Sequence, residues 1–145
     1  MELTQMYLTE EERVNFLKGM VRMARIDGVV EEEERVFFRN LLIALAISEE
    51  NAAKLENSLD ADMESAEIKN YLSISFNTKK QAIFFLEEAI QLCYIDGVYH
   101  EKEQKEIRLI TKELNISAET LDKVEKWVQE GIAWQAKGEA LLSLE

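Results

Sequence analysis

The chain has 145 residues, long enough for one domain that buries roughly 70% of its unfolded surface. Its 17 basic and 29 acidic residues leave a formal charge of −12, which repels the phosphates that dominate nucleic-acid affinity and disfavours an anionic membrane surface. A single cysteine, Cys93, and a single histidine, His100, exclude an intrachain disulfide, a Cys-rich zinc site and any His-rich centre, so a metal would find mainly oxygen ligands.

Helix is predicted nearly throughout: there is no proline, no Asn-Gly turn and no sustained period-2 alternation, while apolar residues recur at three and four. Met1 to Glu12 lacks the basic start and apolar stretch of a signal peptide, and no run of about 20 apolar residues spans a bilayer, so a cytoplasmic protein is expected. Thr9 to Glu12 fits a capping box opening a first helix with the stripe Phe16, Met20, Met23. A turn separates it from a second helix carrying Phe38, Leu41 and Leu45. Ser48 then caps a third, with Ala52, Leu55 and Leu59.

Between Asp60 and Asn77, Ile68 and Leu72 predict a short joining helix. Thr78 to Gln81 repeats the capping signal, followed by Phe85, Ala89, Leu92, then Ile107, Ile110, Leu114. Ser117 starts the last helix with Leu121, Val124 and Val128. The expectation is an all-α fold of about seven helices in one domain, 1–145, with internal repeats over about 16–59 and 85–128. A three-helix unit of about 45 residues buries little core alone, so the halves are expected to pack face to face about a pseudo-twofold axis. Glu125 to Leu144 continues the seventh helix with Trp127 and Trp134 seven apart and Gly131 and Gly138 interleaved. A break or a close helix contact is expected near Gly131, since Gly weakens a helix by about 1 kcal/mol relative to Ala. The tryptophans read first as core or packing anchors, with a partner-binding surface as the alternative.

The repeat itself is the most informative feature. Phe16–Glu50 and Phe85–Glu119 align at an offset of 69 with 13 of 35 positions identical, and the best-matched segments are IDGVVEEEE and IDGVYHEKE. Gly28 and Gly97 can take the left-handed conformation after a helix, and acids in the next first turn favour its dipole by about 0.3 to 1 kcal/mol each. That explains a turn but not its crowding. Glu31 to Glu34 are four consecutive acids, and His100, Glu101 and Glu103 closely follow Asp96. Two carboxylates about 7 Å apart repel by roughly 0.6 to 2.4 kcal/mol, which a cation would relieve.

Ca²⁺ takes 6 to 8 oxygen ligands. With Asp27 at the fifth position of an EF-hand loop, Gly28 falls on the turn glycine, Val30 on the apolar eighth and Glu34 on the bidentate twelfth; the second copy registers identically. The first and third positions are then Met23 and Arg25, or Leu92 and Tyr94, none of them a carboxylate, so a true EF-hand is not expected. Two readings stay open: a solvated acidic surface, or a partly hydrated divalent site using Asp27, Glu32 and Glu34, or Asp96, Glu101 and Glu103, with His100 an extra candidate ligand.

An all-helical chain with two halves, each bearing Ile-Asp-Gly followed by Glu five and seven positions later, resembles the tellurite-resistance TerB family and its TerB-like relatives from about Glu10 to Val128. The resemblance implies a seven-helix fold with internal pseudo-symmetry and an acidic patch for a divalent metal, especially calcium, mapped onto Asp27, Glu32, Glu34, Asp96, Glu101 and Glu103. It also implies a link to stress and tellurite responses within larger assemblies, and no catalytic activity. Ile26 and Ile95 stand where the family often has Ala before Asp-Gly, and His100 breaks the second acidic run.

Enzymatic readings fare poorly. The residue three before His100 is Gly97, so no Glu-x-x-His pair for a di-iron bundle exists. Cys93 takes the place of Ala24 on the apolar face and reads as a buried small residue rather than a nucleophile. Arg39 and Arg108, repeated basic residues, are expected to bridge to the acidic turn or across the halves. The expected function is a non-enzymatic binding module that takes a divalent cation on the duplicated turn and docks a protein partner; the rivals are a metal-free acidic adaptor and, less favoured, a metal-dependent hydrolase.

Overall fold

The computed structural model describes residues 2–94 and 98–145; Ile95, Asp96 and Gly97 of the second turn lie outside the described residues. The described chain is helical: α1 (Leu3–Met6), α2 (Glu10–Ala24), α3 (Glu32–Ala44), α4 (Glu49–Ser58), α5 (Ala66–Tyr71), α6 (Lys79–Cys93), α7 (Glu101–Glu113) and α8 (Ala118–Leu141). Seven of these are the expected helices. The extra one, α1, is a single turn held by side chains rather than propensity: Met6 and Tyr7 are buried, and Tyr7 Oη donates to the Gln81 carbonyl at 3.0 Å.

The capping signals work as read, with one difference. Thr9 Oγ1 accepts from Glu12 N–H and Glu12 Oε1 from Thr9 N–H, closing the box; Ser48 and Ser117 cap α4 and α8. Thr78 caps α6 through Gln81 N–H, but the Gln81 side chain does not close its own box. Its Oε1 accepts from Asn77 N–H at 3.1 Å, and its Nε2 donates to the Met6 carbonyl and to Glu12. The acceptor oxygen thus serves the backbone N–H one residue before the cap, and the amide nitrogen serves the tertiary partners.

α6 packs on α2, α7 and α8, while α2 packs on α3 and α4, so α2 and α6 share the central seam. Positions that the repeat equates meet along it. Glu12 receives the Gln81 amide, Phe16 meets Phe85 edge to face with centroids 6.1 Å apart, and Tyr7 lies 5.8 Å from Phe76. Tyr7 stacks on Phe16 as Phe76 stacks on Phe85, at 4.9 and 5.6 Å. With Leu17, Leu86, Ala89, Ile90, Ile107 and Ile110 these rings form the core, each large apolar side chain contributing about 1.5–3 kcal/mol. Gly19 admits the Phe85 ring, for a Cβ there would sit 2.3 Å from its Cε1.

Two further devices tie the halves. Glu12 is buried yet receives N–H donors from Leu8, Thr9, Asn77 and Gln81, and the bonds from Gln81 foremost, then Thr9 and Asn77, hold its carboxyl at about 2. Arg22 of α2 reaches α7, with Nη2 2.9 Å from Glu106 Oε1 and Nη1 2.7 Å from Glu113 Oε2.

α3 and α7 end alike. Ala46 and Asn115, equivalent in the repeat, take φ of 52° and 57°; Ile47 and Ile116 N–H groups return to the Leu42 and Thr111 carbonyls, completing a Schellman stop.

Expectations for α8 need correction. It runs unbroken past Gly131, and a Cβ at Gly131 or Gly138 would meet nothing within 4 Å, so there is neither a break nor a close contact. Trp127 and Trp134 are not core anchors, being 54% and 76% exposed. The stripe that docks α8 is Leu121, Val124 and Val128, turned away from the indoles.

Candidate functional site

The first acidic turn follows α2. Ile26 N–H returns to the Met23 carbonyl and Gly28 N–H to that of Arg25, and Gly28 adopts φ +81°. A side chain is strained in that region, which explains the glycine and brings the chain round so that α3 begins beside the end of α2. Helix α2 has by then stopped at Ala24, so Gly28 shapes the turn rather than capping the helix.

A cleft of about 280 Å³ opens there. Its floor is Met23, Ala24, Leu92, Cys93 and Phe37, and its acidic lining is Asp27, Glu31, Glu33, Glu34 and Glu103. Three pairs are repeat equivalents: Met23 with Leu92, Ala24 with Cys93, and Glu34 with Glu103. The sequence treats the two turns as two separate carboxylate sets. The structure brings Glu34 and Glu103 to one cleft with Asp27.

Glu34 and Glu103 also have a structural duty. Glu34 Oε1 accepts from Glu31 N–H at 3.1 Å, and Glu103 Oε1 from His100 N–H at 2.9 Å, each the third-residue glutamate that closes a first helical turn. Burial, followed by the charges of Asp27, Glu31 and Glu103, pushes the Glu34 carboxyl above the usual glutamate range despite that bond. The influence of Glu103 on Glu34 is the electrostatic counterpart of the shared cleft.

The other predicted residues are placed differently. Glu32 and Glu101 do not line the cleft: exposed, Glu32 lies 3.8 Å from Arg39 and Glu101 3.4 Å from Lys105. Two residues along the helix from Glu34 and Glu103, they face away, because successive helical side chains turn by about 100°. His100 is exposed and starts α7 as the N-cap, in the place of Glu31. Asp96 lies outside the described residues. Arg39 bridges within its own half, to Glu32 two turns back and to Glu56 of α4 at 3.7 Å. Cys93 is buried on the floor, as its apolar neighbours suggest. Glu31 and Glu33 also line the cleft although neither belongs to the ligand sets that the repeat suggests; their signal in the sequence is the unbroken acidic run.

In donor chemistry this lining fits a hard divalent cation, being carboxylate oxygen over an apolar floor. Among the described residues, however, no three His, Cys, Asp or Glu side chains are gathered closely enough to hold one ion. Nor is any described helix long and apolar enough to cross a membrane.

The fold and cleft define a class: all-helical proteins built on a repeated helix–acidic turn–helix unit whose carboxylates converge between the copies. The chain belongs to the TerB family, since the model of the tellurite resistance protein TerB matches residues 13–126. No curated protein and no solved structure matches the chain.

Proposed function

We propose that the chain is a non-enzymatic binding module whose acidic cleft takes a divalent cation, Ca²⁺ foremost, and whose neutralised surface then docks a protein partner in a stress or tellurite response. The observation that supports it is the meeting of Glu34 and Glu103, one from each repeat, with Asp27 at a single cleft where Glu34 is disfavoured as an anion. Asp27, Glu34 and Glu103 line the cleft without closing on one point, so they would have to draw together to hold the ion through carboxylate oxygens, with Asp96 a further candidate from the sequence. A bound cation supplies positive charge where three or more carboxylates repel. The family name supports the tellurite connection, and a single histidine and a single, buried cysteine support a binding role over nucleophilic or His-centred catalysis.

The test is calorimetric titration and thermal melting of chelator-stripped protein with Ca²⁺, Mg²⁺, Mn²⁺ and Zn²⁺, beside Glu34→Gln/Glu103→Gln. Glutamine keeps the acceptor that caps each helix and removes the charge. Cation at 100 times its Kd stabilises by about 2.7 kcal/mol, and the double variant should lose that gain. Neither heat nor a melting shift with any of the four at millimolar concentration would refute cation binding. A metal-free acidic adaptor would then be preferred, a reading that the scattered ligand geometry among the described residues favours.

A further inference from the structure

Every residue from Gln129 to Glu145 is exposed, although α8 continues as regular helix to Leu141. The family match stops at residue 126, so this projecting segment lies beyond what the TerB resemblance covers. At about 100° per residue, Trp127, Gly131, Trp134, Gly138, Leu141 and Leu142 fall within about 60° of one line along the helix. Large residues recur at 127, 134 and 141, and glycines at 131 and 138, so the stripe alternates bulk and hollow with the four-three spacing of a coiled-coil seam. At 54% and 76% exposure the two indoles leave on the order of 300 Å² uncovered, taking about 250 Å² per tryptophan. Leu141 and Leu142, 67% and 85% exposed, extend that area toward the ~800 Å² per partner of a specific interface.

We infer that this stripe is a self-association surface, covered by α8 of a second copy running antiparallel. The pattern is complementary to itself. With Gly131 set opposite Trp134 of the second copy and Gly138 opposite its Trp127, each indole enters a hollow where even a Cβ would meet nothing within 4 Å. The same register places Glu130 beside Lys137 of the second copy, and Lys137 beside its Glu130. A parallel pair would instead set Glu130 against Gln135 and Lys137 against Leu142, with no opposite charge to meet. Charge and size therefore select the same orientation. The inference is independent of the cation reading, and its test is run in chelator.

Both tryptophans of the chain lie on the stripe, so their emission reports its burial directly. Sedimentation velocity of the full chain from about 1 to 300 µM should show a monomer–dimer equilibrium, and the emission should shift to the blue in step with dimer content. Trp134→Glu, at an exposed position that leaves the fold intact by circular dichroism, should raise the dimer Kd at least tenfold. Glu130→Lys should weaken the dimer and Glu130→Lys/Lys137→Glu should restore it. A monomer at every concentration, or a dimer that survives Trp134→Glu, overturns the surface; failure of the charge swap to restore association overturns the antiparallel register. A blue shift produced by phosphatidylcholine vesicles while the protein alone stays monomeric overturns self-association in favour of lipid.

Discussion

Phe16 and Phe85 occupy the same position in the two repeats and pack against each other, rings 6.1 Å apart at 86°. Their contact depends on Gly19, whose missing Cβ leaves room for the Phe85 ring. Gly19→Ala should therefore destabilise the protein by about 1–3 kcal/mol, the usual cost of forcing extra volume into a packed core, although alanine is the better helix former. Phe85→Leu in the same chain should recover part of the loss. Chemical denaturation of the single and double variants measures the coupling; simple additivity would count against the ring contact.

Removing one partner of the inter-repeat ion cluster should be costly as well. Arg22 is largely buried between Glu106 and Glu113, and although burial opposes the charge, the hydrogen bonds to Glu113 and Glu106 outweigh it and raise the guanidinium pKa. Arg22→Met keeps most of the packing and strands two partly exposed carboxylates. A loss of about 1–3 kcal/mol is expected, discounted from the buried-pair value because both glutamates reach water. Glu106→Gln/Glu113→Gln alone should cost less, and urea melts of the variants provide the comparison.

Stability of the cation-free chain should fall as pH rises out of the mildly acidic range. Glu34 has a folded-state pKa above its unfolded value, chiefly through burial, so the folded state binds more protons between the ordinary value of 4.5 and the raised one. The stabilisation is present below that window and is lost as pH climbs through it. Glu34→Gln should accordingly melt higher than the parent at pH 7, and the gap should close toward pH 4.5. Glu12 acts oppositely: its carboxyl, held near 2 by Gln81 above all, contributes stability above the ordinary value that disappears as pH falls toward 2. Melting temperature against pH for the parent, Glu34→Gln and Glu12→Gln separates the two slopes.

At the paired Schellman stops, the two copies should respond unequally to glycine. Ala46 holds φ 52° with a Cβ that disfavours it, whereas Asn tolerates that region at φ 57° in Asn115. Ala46→Gly should stabilise by about 0.5–1 kcal/mol, with a smaller gain for Asn115→Gly. Equal shifts in thermal melts would contradict this account.

Much of this architecture is readable from residue spacing. The three-four apolar pattern locates α2, α3, α4, α6, α7 and α8, and Thr and Ser caps mark the starts of α2, α4, α6 and α8, whereas α3 and α7 open on Glu31 and His100. α1 was missed because a single turn has no periodicity, and its anchor is a tyrosine whose partners lie some 75 residues away in Gln81 and Phe84. The site was half legible. Asp27, Glu34 and Glu103 could be named from the repeat, but that Glu34 and Glu103 share a cleft depends on the α2–α6 seam, a tertiary relationship. Glu32 and Glu101 repeat just as faithfully as Glu34 and Glu103 yet point elsewhere, since repetition preserves helical phase and not the direction of the neighbour. The tryptophans misled for a simpler cause: bulk usually means burial, and here the burying stripe is Leu121, Val124 and Val128.

The Glu12–Gln81 contact imposes a rule on how far the copies can stay alike. A residue on the seam faces its own counterpart, and an ionised carboxylate cannot donate to another carboxylate. Two glutamates there would meet as bare acceptors in a buried place; one glutamate and one glutamine meet as acceptor and donor. The position is thus a lock that two ionised glutamates cannot close, and a chain made perfectly symmetric with glutamate would lose the bond that joins the starts of its two central helices.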